Sequence, residues 1–510
     1  MSQKFTSSIA GASIFISLVG LLSRGLGFIR EMVFASNFGL ETDFDLYLVG
    51  AVLPTTINSI ILYIGQNYFV PGFQKIKSEN QESAIKYFNQ SFILFIGSGI
   101  IIAILLFFFS DLIVNNYMQE SSVKNKEIAT IIFRIFLFTI PFSAGISILS
   151  ALLQSVYEFK YPAISMLFLN ISVIILLILF SNSYGVIIIP VGFVIGTISQ
   201  FTYLIIKSRK FVRLELFKKN EEESFSRSIL TSSIFIIILV ESLSQLYTII
   251  DRYFYNEVSP GGIASLNYAM IIFVLPISIF SIALATAIFP RITKAINDSV
   301  FNDVETIYNE SISMNLIIFI PISFILFFFG DTIIRVLFER GKFIEESTNI
   351  TFGVLKCYAI SISFYSVYAV LNKIFYGIKK IKLLLLVTVF GLLLKFILNF
   401  VLIEFKQNGF AISTSVSYIF FFITSYLFLN NKLKIENKFF FTKEFIFLFV
   451  NCTICIQILQ LLSNIFSINN VYIKILIIVL FILLYLLNLI FVKHGAVSIT
   501  AKIFKKLSRS

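Results

Sequence analysis

The chain has 510 residues, of which 57% are hydrophobic and only 13% charged, with a mean hydropathy of +0.92. Soluble domains run near half apolar and a quarter charged, so a soluble enzyme, a disordered chain and a secreted disulfide scaffold are excluded. About 290 apolar residues, at roughly 20 per span, suffice for about fourteen transmembrane helices. The net charge of +12 lies in short loops beside apolar runs, where it orients a membrane protein rather than binding nucleic acid.

In chain order, apolar runs fall near 9–30, 46–71, 88–114, 128–156, 162–181 and 185–206. After a polar stretch they resume near 228–250, 264–290, 306–330, 349–376, 381–404 and 410–430, then 444–466 and 471–492. The first run is long and preceded by one lysine, which reads as a retained span rather than a cleaved signal. No ten-residue alternation of a β-barrel appears. The expected fold is an all-α polytopic bundle of about 14 transmembrane helices.

Lys and Arg counted by loop place both termini in the cytoplasm: with the N-terminus inside, inner loops and tails hold about 27 of the 40. The 207–227 stretch carries Lys207, Arg209, Lys210, Arg213, Lys218, Lys219 and Arg227 and reads as a cytoplasmic linker. A repeat at an offset of about 220 residues supports that division. Phe69-Val70-Pro71 with Lys75 is echoed by Ile288-Phe289-Pro290 with Lys294, and Ala151-Leu152-Leu153-Gln154 by Ala369-Val370-Leu371-Asn372. Tyr184-Gly185 is answered by Asn408-Gly409. The expected organisation is a six-helix lobe at 1–206, the linker at 207–227, a second six-helix lobe at 228–430, and two extra helices with a basic tail at 431–510. Six spans per copy give a parallel repeat, with a central cavity between lobes and alternating access.

Ionisable groups inside spans cost several kcal/mol and normally face a cavity or a partner. Arg24 lies about 15 residues into the first span among Gly20, Gly25 and Gly27, which would let the helix bend or open there. Its guanidinium suits a phosphate or pyrophosphate; the alternative is an ion pair of Arg24 or Arg30 with Asp45. Glu31 adjoins Arg30, and Asp45 opens the second span. Arg134 and Lys356 are shallow enough to snorkel as anchors. Glu241 lies one turn before Gln245 in span seven, which Asp251-Arg252 closes. Glu241 is either an ion relay or a partner of Lys395 in span eleven.

The cysteines, Cys357, Cys452 and Cys455, lie in apolar runs, and the single histidine, His494, follows the last span. No metal motif, Walker A sequence or G-x-S-x-G is present, so no cofactor is expected and the coupling ion stays open.

Ser23-Arg24-Gly25-Leu26-Gly27-Phe28-Ile29-Arg30-Glu31, then Phe38-Gly39, Asp45, Leu53-Pro54 and Phe69-Val70-Pro71, resemble the start of the MurJ/MviN lipid II flippases of the multidrug/oligosaccharidyl-lipid/polysaccharide exporter superfamily. Leu169-Asn170-Ile171-Ser172, Leu266-Asn267-Tyr268-Ala269, Phe338-Glu339-Arg340-Gly341-Lys342-Phe343 and Lys395 with Asn399 continue the resemblance in order. It implies a V-shaped bundle in the bacterial inner membrane, serving peptidoglycan or another surface glycan. Such a protein carries an undecaprenyl-pyrophosphate-linked sugar from the inner to the outer leaflet, with the last two spans forming a groove for the prenyl tail. By motif position, Arg24, Arg30 and Asp45 match positions of functional importance. Asn58 and Gln245 join them as substrate-binding candidates, and Glu241, Asp251 and Lys395 are the candidates for ion coupling. The sequence departs from the family at Asn58 and Ile271, where arginines are usual, so a related lipid-linked oligosaccharide stands beside lipid II as substrate.

The competing functions are an ion-coupled multidrug-type antiporter, a membrane-embedded glycan enzyme, for which the outer loops are short, and a non-catalytic scaffold. The expected partners are a lipid-linked oligosaccharide and the bilayer, with no nucleic acid; no oligomeric state follows.

Overall fold

Hydrocarbon offers the backbone no hydrogen-bond partner, and every element among the described residues is accordingly helical. The computed structural model describes residues 9–209, 232–298, 301–378, 380–437, 440–465 and 471–491. The linker beyond Arg209 and the tail with His494 lie outside them.

The first copy of the repeat begins with α1 (Ile9–Phe38) and α2 (Thr42–Ile64), which continues through a π-helical turn at Gly65–Phe69 into α3 (Val70–Glu79). α4 (Gln81–Phe108), α5 (Ser110–Tyr117), α6 (Val123–Leu137) and α7 (Thr139–Ser155) follow. α8 (Lys160–Tyr184) and α9 (Ile188–Ser208) are joined by a 3-10 turn at Gly185–Ile187. The second copy repeats these irregularities. α10 (Ser232–Tyr253) precedes α11 (Gly262–Pro276), which passes through a π-helical turn at Ile277–Ser281 into α12 (Ile282–Asn297). After α13 (Phe301–Phe338), the fourth span is again broken, into α14 (Glu345–Ala359) and α15 (Ile362–Gly377), bent by 53°. α16 (Ile381–Val401) meets α17 (Lys406–Lys432) through another 3-10 turn, at Ile403–Phe405. α18 (Phe440–Ile465) and α19 (Val471–Phe491) stand outside the repeat.

The first π turn ends at Phe69, two residues before Pro71, and the second at Ser281, nine residues before Pro290, so the turns recur near the repeated motif without coinciding with it. Gly65 takes part in the first, and a Cβ on it would sit 1.8 Å from Ser147 Oγ of α7. The Ser147 hydroxyl donates at 2.8 Å to the Ile61 carbonyl, which also accepts from the Gly65 N–H, and so ties α7 to the start of the turn. One expected correspondence differs. Gly185 has φ +56° and terminates α8, whereas Gly409 lies inside α17, where a Cβ would strike the Leu402 carbonyl at 2.1 Å. The left-handed residue at the second turn is Lys406, with φ +52°.

Ten helical runs among the described residues are long and apolar enough to cross a membrane, or eleven with the bent pair as one span. That is fewer than the fourteen read from the sequence. The 49-residue run Lys160–Ser208 counts once although α8 and α9 meet at Gly185, and α1 and α10 are not among the ten.

The chain forms two compact units, Met1–Ala264 with Arg340–Phe343, and Ser265–Glu339 with Ile344–Ser510. α10, which the repeat assigns to the second copy, is in the first unit. Large apolar side chains such as Ile178, Leu179, Ile397 and Leu476 are exposed, as lipid-facing positions should be. Between helices the packing is close: Gly192 and Gly196, one turn apart on α9, lie against Val173 and Leu169 of α8. Without a hydrophobic drive between helices in lipid, such approach supplies van der Waals contact.

The first unit also contains a reciprocal glycine clasp. Gly39 has φ +53°, and a Cβ there would lie 2.3 Å from the Lys342 carbonyl. Gly341 has φ +59°, and its Cβ would lie 2.2 Å from the Ser36 carbonyl. The Lys342 N–H donates to Ser36 O at 2.9 Å, and Lys342 Nζ pairs with Glu41 at 2.8 Å. Gly39→Ala and Gly341→Ala should each destabilise the protein by about 2 kcal/mol or more, from left-handed strain plus collision with backbone. Gly97→Ala, in α4 with nothing within 4 Å of its Cβ, should gain up to ~1 kcal/mol from helix propensity. Thermal unfolding of the three variants in detergent checks the opposite signs.

Candidate substrate site in the first unit

α1 runs unbroken through Gly20, Gly25 and Gly27, so the expected loosening around Arg24 does not occur. Arg24 is exposed on this helix. Arg30 is six residues on, about 9 Å along the axis and about 120° around it, so the two cations occupy different faces.

Arg30 is half-buried and closely held. Its Nη2 pairs with Glu31 at 2.6 Å, and its Nη1 donates to Asn170 Oδ1 on α8 at 3.0 Å. The guanidinium lies over two rings, 5.5 Å from the centroid of Phe34 and 5.1 Å from that of Phe193 on α9. Asn170 completes the junction by donating to the Ser23 carbonyl at 3.3 Å. Arg30 Nε is buried and has no hydrogen-bond partner among the described residues. A planar cation fixed in this way keeps donor capacity for an oxyanion, while Glu31 offsets its charge.

Aromatic contacts lead from Arg30 to the second span. Phe193 packs against Phe136 at 5.2 Å. The hydroxyl of Thr139, at the start of α7, donates to the Phe136 carbonyl and accepts from Asn58 Nδ2, both at 2.6 Å. Asn58 Oδ1 is buried without a hydrogen-bond partner among the described residues.

Asp45 is 1% exposed and does not pair with Arg30, contrary to the ion-pair reading. Its carboxylate accepts from the N–H groups of Gly261 and Ala264, each at 2.7 Å, at the start of α11. The positive end of a helix dipole and two orphan amides are what a buried carboxylate needs. Gly261 makes this possible: its φ is +78°, and a Cβ would lie 2.2 Å from the Leu40 carbonyl. Arg252, also buried, adds a favourable charge near Asp45. Burial, and then the Asp45 charge, push the Tyr255 phenol in the loop before α11 up to about 12.

The remaining candidates are dispersed. Gln245 is half-buried on α10 and Asp251 buried in its last turn. Glu241 is on α10, but its side chain is outside the described set, as is the expected pair with Lys395. Lys395 belongs to the second unit, 1% exposed on α16. One turn further, Asn399 accepts from the Ser413 hydroxyl of α17. Ile271 is half-buried on α11. Arg134 pairs with Asp111 at 2.7 Å, and Lys356 lies over the Phe352 ring at 4.2 Å. Among the described residues no three His, Cys, Asp or Glu side chains gather as metal ligands.

Sequence reasoning missed Asn170 as Arg30's partner, although an asparagine inside an apolar run was the available signal.

A family model, described as lipid II flippase MurJ, matches residues 34–484. The probable lipid II flippase MurJ of Buchnera aphidicola subsp. Acyrthosiphon pisum is 28% identical over 411 residues, 79% of this chain and 80% of that protein. The probable lipid II flippase MurJ of Aquifex aeolicus is 27% identical over 426 residues, 80% of this chain and 82% of its own length. A solved lipid II flippase MurJ in an inward closed conformation shares the fold, with a TM-score of 0.78 at 24% identity over 94% of this chain and 99% of that one. An inward-facing multidrug resistance transporter of the MATE family and MOP superfamily aligns with a TM-score of 0.67 at 16% identity, over 82% of this chain and 98% of that one. A family model spanning nearly the whole bundle places this polytopic membrane chain in the MurJ family.

Proposed function

We propose that the chain is a transporter, not an enzyme: a flippase that moves an undecaprenyl-pyrophosphate-linked oligosaccharide from the inner to the outer leaflet of a bacterial cytoplasmic membrane. The observation that carries this is the match over residues 34–484 to a family described as lipid II flippases. The Arg30 cluster supports it, because a held guanidinium in a membrane helix suits a pyrophosphate and has little use in a passive scaffold. Alternating access between two six-helix lobes is the proposed route, with fourteen spans and both termini cytoplasmic from the distribution of Lys and Arg. Arg24, Arg30, Asp45, Asn58 and Gln245 are proposed to serve the substrate, directly or by positioning. Glu241, Asp251 and Lys395 are proposed for coupling to an ion gradient.

Lipid II is the leading substrate, and a related surface-glycan precursor is the second reading, favoured by one feature. Asn58 and Ile271 leave the site with fewer cations than the family pattern, and a doubly charged pyrophosphate is held less firmly there.

Complementation of a bacterium depleted of its lipid II flippase tests the reading. The wild-type chain should restore growth; failure with good membrane expression would point to the other glycan lipid. Arg24→Ala and Arg30→Ala should abolish rescue, and the lysine variants should recover only part of it, because an ammonium lacks the planar fork. Asp45→Asn should act through stability. An amide has one oxygen for two N–H donors, and the orphaned amide costs about 1–3 kcal/mol in thermal unfolding. Normal transport by both arginine variants would remove the cation from the mechanism.

Orientation has its own check. A cysteine introduced at Lys218 should resist impermeant thiol reagents in intact cells and react once the membrane is opened. Labelling from outside would invert the topology.

A further inference from the structure

At one end of the α8–α9 hairpin, lysines and tyrosines collect where no part of the proposed transport path requires them. Lys207, one residue before the end of α9, places its ammonium 5.6 Å from the ring centroids of both Tyr161 and Tyr203. Lys160, the first residue of α8, lies 4.8 Å from the Tyr161 ring. The two tyrosine rings are 6.4 Å apart, and Phe168 supports Tyr203 at 5.1 Å. Glu158 pairs with Lys160 at 3.2 Å, whereas neither Lys207 nor the exposed Arg209 has a carboxylate partner among the described residues. Three cations against one carboxylate leave an excess of two positive charges.

The setting defines the counter-charge. The cluster closes the Lys160–Ser208 run, which spans the membrane, so it lies at headgroup depth. Exposed Phe159, Met166 and Ile206 nearby offer apolar surface to acyl chains. Tyrosine rings hold the ammonium by cation–π attraction and present hydroxyl donors beside it.

We propose that this notch binds the phosphodiester of an anionic phospholipid in the leaflet at that end of the hairpin. Lys207 and Lys160 supply the charge, and the Tyr161 and Tyr203 hydroxyls donate to the phosphate. A bound headgroup would fix the depth of α8, the helix whose Asn170 holds Arg30.

Native mass spectrometry of the delipidated full-length protein tests this by titration with phosphatidylglycerol and with phosphatidylcholine of the same chains. The wild type should retain phosphatidylglycerol preferentially. Lys160→Gln with Lys207→Gln should weaken phosphatidylglycerol binding by about fivefold for each lysine and leave phosphatidylcholine unchanged. Lys75→Gln with Lys77→Gln, the same charge loss at exposed sites on α3, should leave both unchanged. Wild-type affinity in the first pair, or an equal loss in the second, overturns the proposal. Inorganic phosphate should not displace the lipid; full displacement would make this a phosphate site and overturn the lipid assignment. If the first pair does not fold, Tyr203→Leu, which removes a ring and a hydroxyl but no charge, should still lower phosphatidylglycerol binding, and an unchanged value overturns the proposal.

Discussion

The constraint on which the first unit depends is that a half-buried guanidinium among apolar helices must be satisfied by protein. Arg30 meets it with one neighbour in sequence, Glu31, and one distant partner, Asn170. Because Asn170 also bonds the Ser23 carbonyl, the same side chain that accepts from the guanidinium joins α8 to α1. The rings of Phe34 and Phe193 cover the guanidinium faces and bring α9 into the junction. Three helices of the first unit therefore meet at one charged side chain.

Asp45 follows the same logic with the opposite sign. A buried carboxylate that does not pair with Arg30 is tolerable because backbone N–H groups at the start of α11 receive it. Gly261 supplies the left-handed turn that aims one of those amides. Where no charge is involved, glycines do the equivalent work. Gly65, Gly192 and Gly196 let helices come close enough for backbone and hydroxyl groups to meet, which replaces the hydrophobic drive that lipid removes.

Much of the fold was legible because its signals are one-dimensional. Apolar length marks helices, and the echo of Phe69-Val70-Pro71 in Ile288-Phe289-Pro290 marks a repeat whose members share a π turn and a broken fourth span. The site was less legible because its geometry is set between helices. Arg30 and Asp45 are fifteen residues apart and look like a pair, yet each found its partner elsewhere, Asn170 at a separation of 140 residues and Ala264 at 219. Periodicity carries no information on such separations. Gly39 and Gly341 show the same limit: each reads as an ordinary loop glycine, and only the fold reveals that each makes room for the other's neighbour.

The balance of charge bears on what the site can hold. Glu31 offsets Arg30, so the cluster attracts an anion more weakly than an isolated arginine would. At the second span Asn58 is bonded to Thr139 through its amide and leaves a buried oxygen without a hydrogen-bond partner among the described residues. That oxygen is an acceptor, which a pyrophosphate cannot use but a sugar hydroxyl or amide can. A buried acceptor left unmet costs about 1–3 kcal/mol, more than the bond from Asn58 to Thr139 returns, so the amide is held there against its own desolvation.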